Sequence, residues 1–283
     1  MKQFKNIVFL TFILFTLSAC MSEASDKKEI KIGYQKVTDA LMLKESEAFH
    51  EELSELGYEV TWAEFNTGSS IIEALHSGSI DFANSGDMPA LFALAKGMDF
   101  QIFASQNDAP ETEGIVARKD SGIKKVADLK GKRVAYNRAS IAEYLTLKAL
   151  EQADLSVSDI EPVHLDPSDA NIALEKGEVD AWVVWDPYMT SAESKGNEII
   201  QTAEGLAVNG GYQLASQSIM ESDPAVAELI TKHLNLIADE LNENATNGAA
   251  LMEDVTSVDA HIWEKAIKRK EWGDHDIDRK SVV

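Results

Sequence analysis

Short apolar runs alternate with amphipathic stretches along most of the 283-residue chain. Residues 30–34 predict a first strand ended by Gln35, and residues 41–56 an amphipathic helix stopped by Gly57. Residues 58–64 place Val60 and Trp62 at alternate positions, the period of a half-buried strand. A polar turn at residues 66–70 leads into a helix over 71–76, with Ser70 and Glu73 at capping-box spacing. Strands at 100–105 and 115–117 precede a new unit that opens at residues 131–136. From there the order recurs: a second capping box at Ser140 and Glu143, a helix over 144–153, a strand over 160–165 and a helix over 169–176. Residues 208–216 predict a strand returning to the first unit. A helix follows over 224–241, with Val226, Leu229, Ile230, Leu234 and Ile237 on one stripe, and then a helix over 259–270. This alternation predicts mixed α/β layers.

One pattern occurs twice. Ala74, Leu75, Gly78, Ile80, Asp81 and Asp87 have the spacing of Ala173, Leu174, Gly177, Val179, Asp180 and Asp186. Each copy reads as a helix end, a glycine stop, a short buried strand and a loop carrying an acid. Two units on one plan predict two lobes. Ligands of open α/β sheets sit beyond the carboxyl ends of the strands, which selects Gly86, Asp87, Trp185 and Asp186 as candidate site residues. Trp182 and Trp185 stand an odd number of positions apart and so point to opposite faces of their strand, one to the core and Trp185 to the cleft. Tyr212, on the returning strand, is a further candidate.

The first residues change the picture of where the protein works. A basic start (Lys2, Lys5) precedes an apolar stretch over 7–17, too short for a membrane span, and then Leu17, Ser18, Ala19 and Cys20. These four match the bacterial lipobox. The expectation is therefore a signal peptide over 1–20, lipid attachment at Cys20, a polar tether over 21–29, and a membrane-anchored extracytoplasmic protein. Cys20 is the only cysteine, so the monomer forms no disulfide. The formal charge of −22 argues against nucleic acid, which needs a basic footprint. It leaves anionic ligands open, because helix N-termini hold anions without net positive charge.

Candidate chemistry is of the binding kind. Asn137, Arg138, Ala139 and Ser140 precede a helix whose free N–H groups and dipole make a candidate anion cradle, with Arg138 adding charge; an ordinary capped helix is the equal alternative. The turn at Gly68, Ser69 and Ser70 is a weaker cradle of the same kind. No catalytic or metal site is predicted, and no cofactor. Gly131 and Lys132 resemble a phosphate loop only in part, since Val126 and Arg133 replace its first glycine and its Ser/Thr. Asp274, His275, Asp276 and Asp278 read as a solvated polar tail, and Lys265, Lys268, Arg269 and Lys270 as a solvated helix face.

The stretches 32–35, 73–82, 86–89, 126–132, 184–188 and 212–216 together resemble the substrate-binding lipoproteins of aliphatic-sulfonate, taurine and nitrate import systems, with the aliphatic-sulfonate branch nearest. The resemblance spans about residues 30–270. It implies a type II periplasmic-binding-protein fold, two α/β lobes joined by two crossings with a ligand cleft between them. The lobes expected are 30–115 with 210–283, and 116–209. It also implies a monomer that performs no chemistry and delivers a small sulfonate, alkanesulfonate or taurine, to ABC permease subunits. In the family the positions of Gln35, Ser140 and Ile141 lie against the anionic head, and Gly86, Asp87, Trp185 and Asp186 in the cleft walls. The alternatives are a thiamine pyrimidine precursor, a nitrate-like anion, or an enzyme on the same fold. Two departures stand out. Sulfonate binders usually read Gly-Ser-Ser-Ala-His where this chain has Ala139, Ser140, Ile141, Ala142 and Glu143, so a carboxylate enters the anion site, either to weaken it or to hold the amine of a zwitterion. Members also usually run a few dozen residues past the position of Val283, so a shortened C-terminal end is expected.

Overall fold

The structure, a computed structural model, describes residues 27–277, leaving Cys20 with its lipobox and Asp278 outside the described residues. The chain opens with β1 (Lys28–Tyr34), α1 (Asp39–Glu45), α2 (Glu47–Glu55), β2 (Tyr58–Glu64), α3 (Gly68–His76), β3 (Phe82–Gly86), α4 (Asp87–Ala95) and β4 (Gln101–Gln106). It crosses to β5 (Glu113–Ala117), β6 (Arg133–Tyr136), α5 (Ile141–Gln152), β7 (Glu161–His164), α6 (Pro167–Glu175), β8 (Ala181–Trp185), α7 (Tyr188–Ser194) and β9 (Glu198–Thr202). It returns through β10 (Gly211–Ala215), α8 (Gln217–Ser222), α9 (Ala225–Glu243), α10 (Ala245–Thr256), α11 (Ala260–Ile267) and β11 (Asp274–Asp276).

Two sheets result, with strand orders β11-β4-β10-β3-β1-β2 and β7-β6-β8-β5-β9. In each, three parallel strands are followed by an antiparallel one: β10 beside β3, and β5 beside β8. That fourth strand is the first to arrive from the other lobe, so the repeat extends to topology. Strand β5 belongs wholly to the second sheet, so the crossing precedes Glu113 and lies earlier than the expected boundary at 115/116. Helices cover both faces of both sheets. Residues of α2 and α9 pack on one face of the first sheet and residues of α3 and α4 on the other. In the second lobe the helix α5 covers one face and α6 with α7 the other. Burial on both faces explains why β5 and most of β3 and β8 are buried throughout.

The repeated sequence pattern has a mechanical meaning. Gly78 and Gly177 follow the C-caps of α3 and α6 at φ +74° and +71°, a conformation glycine adopts without a Cβ clash. The first acid of each copy then pins neighbouring strands. Asp81 accepts the Lys31 N–H at 2.8 Å while donating its own N–H to the Lys31 carbonyl. Asp180 accepts the Arg133 N–H at 3.0 Å and donates to the Arg133 carbonyl.

Several expected boundaries moved for local reasons. The helix over 41–56 divides at Ser46, whose hydroxyl caps α2 through the Phe49 N–H. Thr67, not Ser70, caps α3, so that helix starts earlier. The polar tail is no tail: His275 is exposed, but Asp274 is buried and β11 forms the edge of the first sheet beside β4. The alternation there is too short to announce a strand, and only pairing with β4 creates it.

Burial pushes the Asp180 carboxyl up, and the Arg133 guanidinium and N–H with the Arg118 charge more than reverse this, leaving it below the usual carboxylate range. A depressed folded-state pKa gives stability that is present above about pH 4 and lost as pH falls through the folded value. Asp180→Asn is expected to cost about 1–3 kcal/mol at pH 7. Urea melts of mutant and parent should converge below about pH 4.

Candidate ligand-binding site

A cavity of about 150 Å³ opens where the parallel strands of both sheets end. Gln35 follows β1, Gly86 ends β3, Asn137 follows β6, and Trp185 with Asp186 ends β8; all five line it. Ser140 and Ile141 add the start of α5, and the two crossings supply Asn107, Ala109, Thr112, Asn209 and Gly210. Six of the nine expected site residues therefore meet in one cavity: Gln35, Gly86, Ser140, Ile141, Trp185 and Asp186. Trp182 is buried in the core while Trp185 lines the cavity, as alternation requires.

The other three face elsewhere. Arg138 is exposed. Tyr212 packs against the apolar cluster of α3 and α4, because it stands opposite Ser85 on a strand whose neighbour Gln213 stands opposite the cavity-lining Asn84. Asp87 is buried against the second crossing, accepting the Gly210 N–H at 3.4 Å and the Met88 N–H at 2.6 Å.

The wall at α5 is the start of a helix, with Ser140 and Ile141 at the cavity. Ser140 has extended backbone at the N-cap, but its hydroxyl turns back to donate to the Asn137 carbonyl at 2.7 Å and caps nothing. Glu143 reaches past the helix end to accept the Ala139 N–H at 2.7 Å. Its carboxylate therefore serves a turn in which Ala139 holds φ +50°, a left-handed conformation that favours the glycine usual in sulfonate binders. The first-turn N–H groups of α5 keep no side-chain cap, and the helix dipole adds positive potential there. Neither bond of the expected capping box forms: the Ser140 hydroxyl turns back to Asn137, and Glu143 takes the Ala139 N–H in place of that of Ser140.

Three carboxyls sit where the lobes join. Glu113 is fully buried with both oxygens unpartnered, and burial, with the Asp186 and Asp87 charges, pushes it well above the usual range. Asp186 accepts from the Thr190 N–H and hydroxyl at 3.0 and 2.7 Å and faces Arg269 at 3.0 Å. Burial still raises its pKa despite the guanidinium. Asp87 is likewise raised, by burial first.

Neutral amides and hydroxyls that the sequence did not single out also line the cavity, including Thr38, Asn84 and Gln106. The largest departure is at the end of α11. Lys268 pairs with Glu264 on the surface and Lys265 reaches Glu193, but Arg269 forks between Asp186 and Glu193 and Lys270 lines the cavity. The helix stops at Ile267, whose carbonyl accepts the Trp272 indole N–H, and the chain turns inward. A helical period carried through to Lys270 hides that turn. Between the lobes, the Ser69 hydroxyl also donates to the Ala139 carbonyl at 3.2 Å.

A raised carboxyl stabilises below its ordinary pKa and loses that contribution as pH rises, because the unfolded chain releases the proton more readily. Glu113→Gln is therefore expected to be at least about 1 kcal/mol more stable than the parent at pH 8, with the gap shrinking toward pH 5 in thermal melts.

A family model described as NMT1/THI5 like matches residues 53–221. A curated relative in Escherichia coli (strain K12), named as a candidate aliphatic sulfonates-binding protein, is 36% identical over 78% of this chain and 70% of its own length. The alkanesulfonate-binding protein SsuA of Xanthomonas axonopodis pv. citri, solved bound to MOPS, superposes with a TM-score of 0.83 at 30% identity, covering 90% of this chain and 89% of that one. The periplasmic aliphatic sulphonate binding protein SsuA of Escherichia coli superposes with a TM-score of 0.77, also at 30% identity, over 89% and 82% of the two chains. The desulfurization enzyme DSZB shares the fold alone, at 13% identity and a TM-score of 0.61 over 87% of this chain and 84% of that one. With two α/β lobes on the plan of the SsuA binding proteins and a family match across both, this chain belongs to the NMT1/THI5-like family.

Proposed function

We propose that the protein is the extracytoplasmic binding subunit of an ABC importer, closing on a small sulfonate and delivering it to the permease without altering it. The observation that carries this reading is the uncapped first turn of α5 facing an interlobe cavity of about 150 Å³. Free N–H groups at a helix start hold an anionic head in place of bulk water, and neutral amides around them satisfy oxygens without opposing charge. The names of its relatives support a sulfonate over other anions. Glu143 bonds to Ala139, which favours simple alkanesulfonates over a role for that carboxylate in gripping an amine. The residues proposed to touch the ligand are Gln35, Gly86, Ser140, Ile141, Trp185 and Asp186. Asp87 is proposed to hold the second crossing in place. We further propose lipid attachment at Cys20, on the sequence Leu17, Ser18, Ala19, Cys20.

A thermal-shift panel of alkanesulfonates, taurine, sulfate, nitrate and thiamine precursors tests the ligand class. A true ligand at 100 times its Kd adds about 2.7 kcal/mol. Stabilisation by nitrate or a thiamine precursor alone would sink the sulfonate reading. Ile141→Pro isolates the helix start, because proline fits the first helical position yet lacks the N–H. It is expected to weaken sulfonate binding by about 1–3 kcal/mol with the melt still cooperative; undiminished affinity would mean the anion sits elsewhere. Cys20→Ala should abolish incorporation of labelled fatty acid and release the protein from membranes, and unchanged labelling would remove the anchor assignment.

A further inference from the structure

Among the described residues the cavity lining includes one cation, on the lobe opposite the α5 cradle. Lys270 follows α11, whose Trp263 and Ile267 pack in an apolar cluster of the first lobe, so the side chain enters the cavity from that lobe. Its position is fixed from several sides. The Nζ lies 3.6 Å from the centre of the Trp272 ring, a cation–π contact. The Asn107 amide donates to the Glu271 carbonyl at 3.3 Å, the Trp272 N–H donates to Asn242 at 2.9 Å, and Arg269 grips Asp186.

Two buried carboxylates flank this ammonium and do not reach it. Asp39 accepts from Gln106 at 2.9 Å and Asp274 from Gln213 at 3.0 Å, and each keeps one oxygen without a partner. Among the described residues no carboxylate lies within 4.0 Å of the Lys270 ammonium, unlike Lys265, Lys268 and Arg269 on the same stretch. Burial lowers the Lys270 pKa, and the fields of Asp39 and Asp274 act against that and favour the charged form. A half-buried ammonium in the cavity, short of its flanking carboxylates, has no ion-pair contact among the described residues. The solute is placed to supply it.

We propose that Lys270 is the charge-selecting residue of the site, its ammonium contacting the anionic head that the α5 N–H groups hold from the other lobe. One anion then bonds to both lobes, so binding and closure are the same event. An uncharged isostere would meet the same amides but leave the ammonium unpaired, a cost that rejects it. The inference rests on the cavity being an anion site and not on sulfonate in particular.

The test compares the purified parent protein with Lys270→Met, Lys270→Gln and Lys270→Arg by thermal shift and calorimetric titration. The probes are butanesulfonate, butylphosphonate, pentanoate and the uncharged diethyl sulfone. The expected result is a roughly ten-fold or larger loss of affinity for the bound anion in the neutral variants, substantial recovery in Lys270→Arg, and a narrowed preference over the sulfone. Lys270→Gln provides the measurement if Lys270→Met does not melt cooperatively. Parent-like anion affinity in a folded neutral variant overturns the proposal and leaves the sulfonate reading intact. Loss of phosphonate or carboxylate binding in those variants, with no sulfonate response in the parent, supports the proposal and sinks the sulfonate reading. A parent that binds none of the three anions overturns both.

Discussion

The cleft is framed by the hydrogen-bonded pair of crossings between the lobes. The Ala109 N–H donates to the Asn209 carbonyl at 2.9 Å, and the Asn209 amide returns bonds to the Ala109 carbonyl and the Thr112 hydroxyl at 3.2 and 3.0 Å. Each lobe then reaches the join through the last acid region of its repeated pattern. Asp87 exchanges bonds with Gly210 of one crossing, and the Asp186 N–H donates to the Thr112 carbonyl of the other at 2.8 Å. With these few backbone groups fixed, the carboxyl ends of β1, β3, β6 and β8 face one another. If the crossings came apart, the same side chains would line two open surfaces in place of one cavity.

Charge in this protein is local, not global. A chain of net charge −22 presents a poor surface to anions, yet the cleft holds an uncapped helix start and a half-buried lysine. Both act at short range inside the cleft, where a nearby dipole or cation outweighs distant, screened surface carboxylates. The neighbouring acids are prevented from cancelling this. Glu143 is engaged by the Ala139 N–H, Asp186 by Arg269 and Thr190, and burial pushes the Glu113 carboxyl well above its usual range, which disfavours its charged form.

The doubled pattern was legible because each of its positions answers a local demand. Gly78 and Gly177 take left-handed backbone, Ile80 and Val179 are buried, and Asp81 and Asp180 bond the adjacent parallel strand. Such demands recur wherever the unit recurs, so spacing alone exposed them. The same logic placed Trp185 in the cleft and Trp182 in the core. It failed for Tyr212, where the face of β10 is set by its register with β3, a long-range pairing that nothing near Tyr212 encodes.

From its sequence alone the chain determined two α/β lobes, the strand ends at which a ligand would sit, and the helix start at Ser140 and Ile141, because periodicity and glycine stops act within a few residues. Only the tertiary structure decided which charges enter the site. Glu143 turned onto its own loop, Arg138 stayed in solvent, and Arg269 and Lys270, read as a solvated face, became an interlobe clamp and a cavity cation. The direction of a long charged side chain depends on packing and partners far away in sequence. Here the turn after α11, and the carboxylates of Asp186 and Asp39 brought to it from distant segments, made that choice.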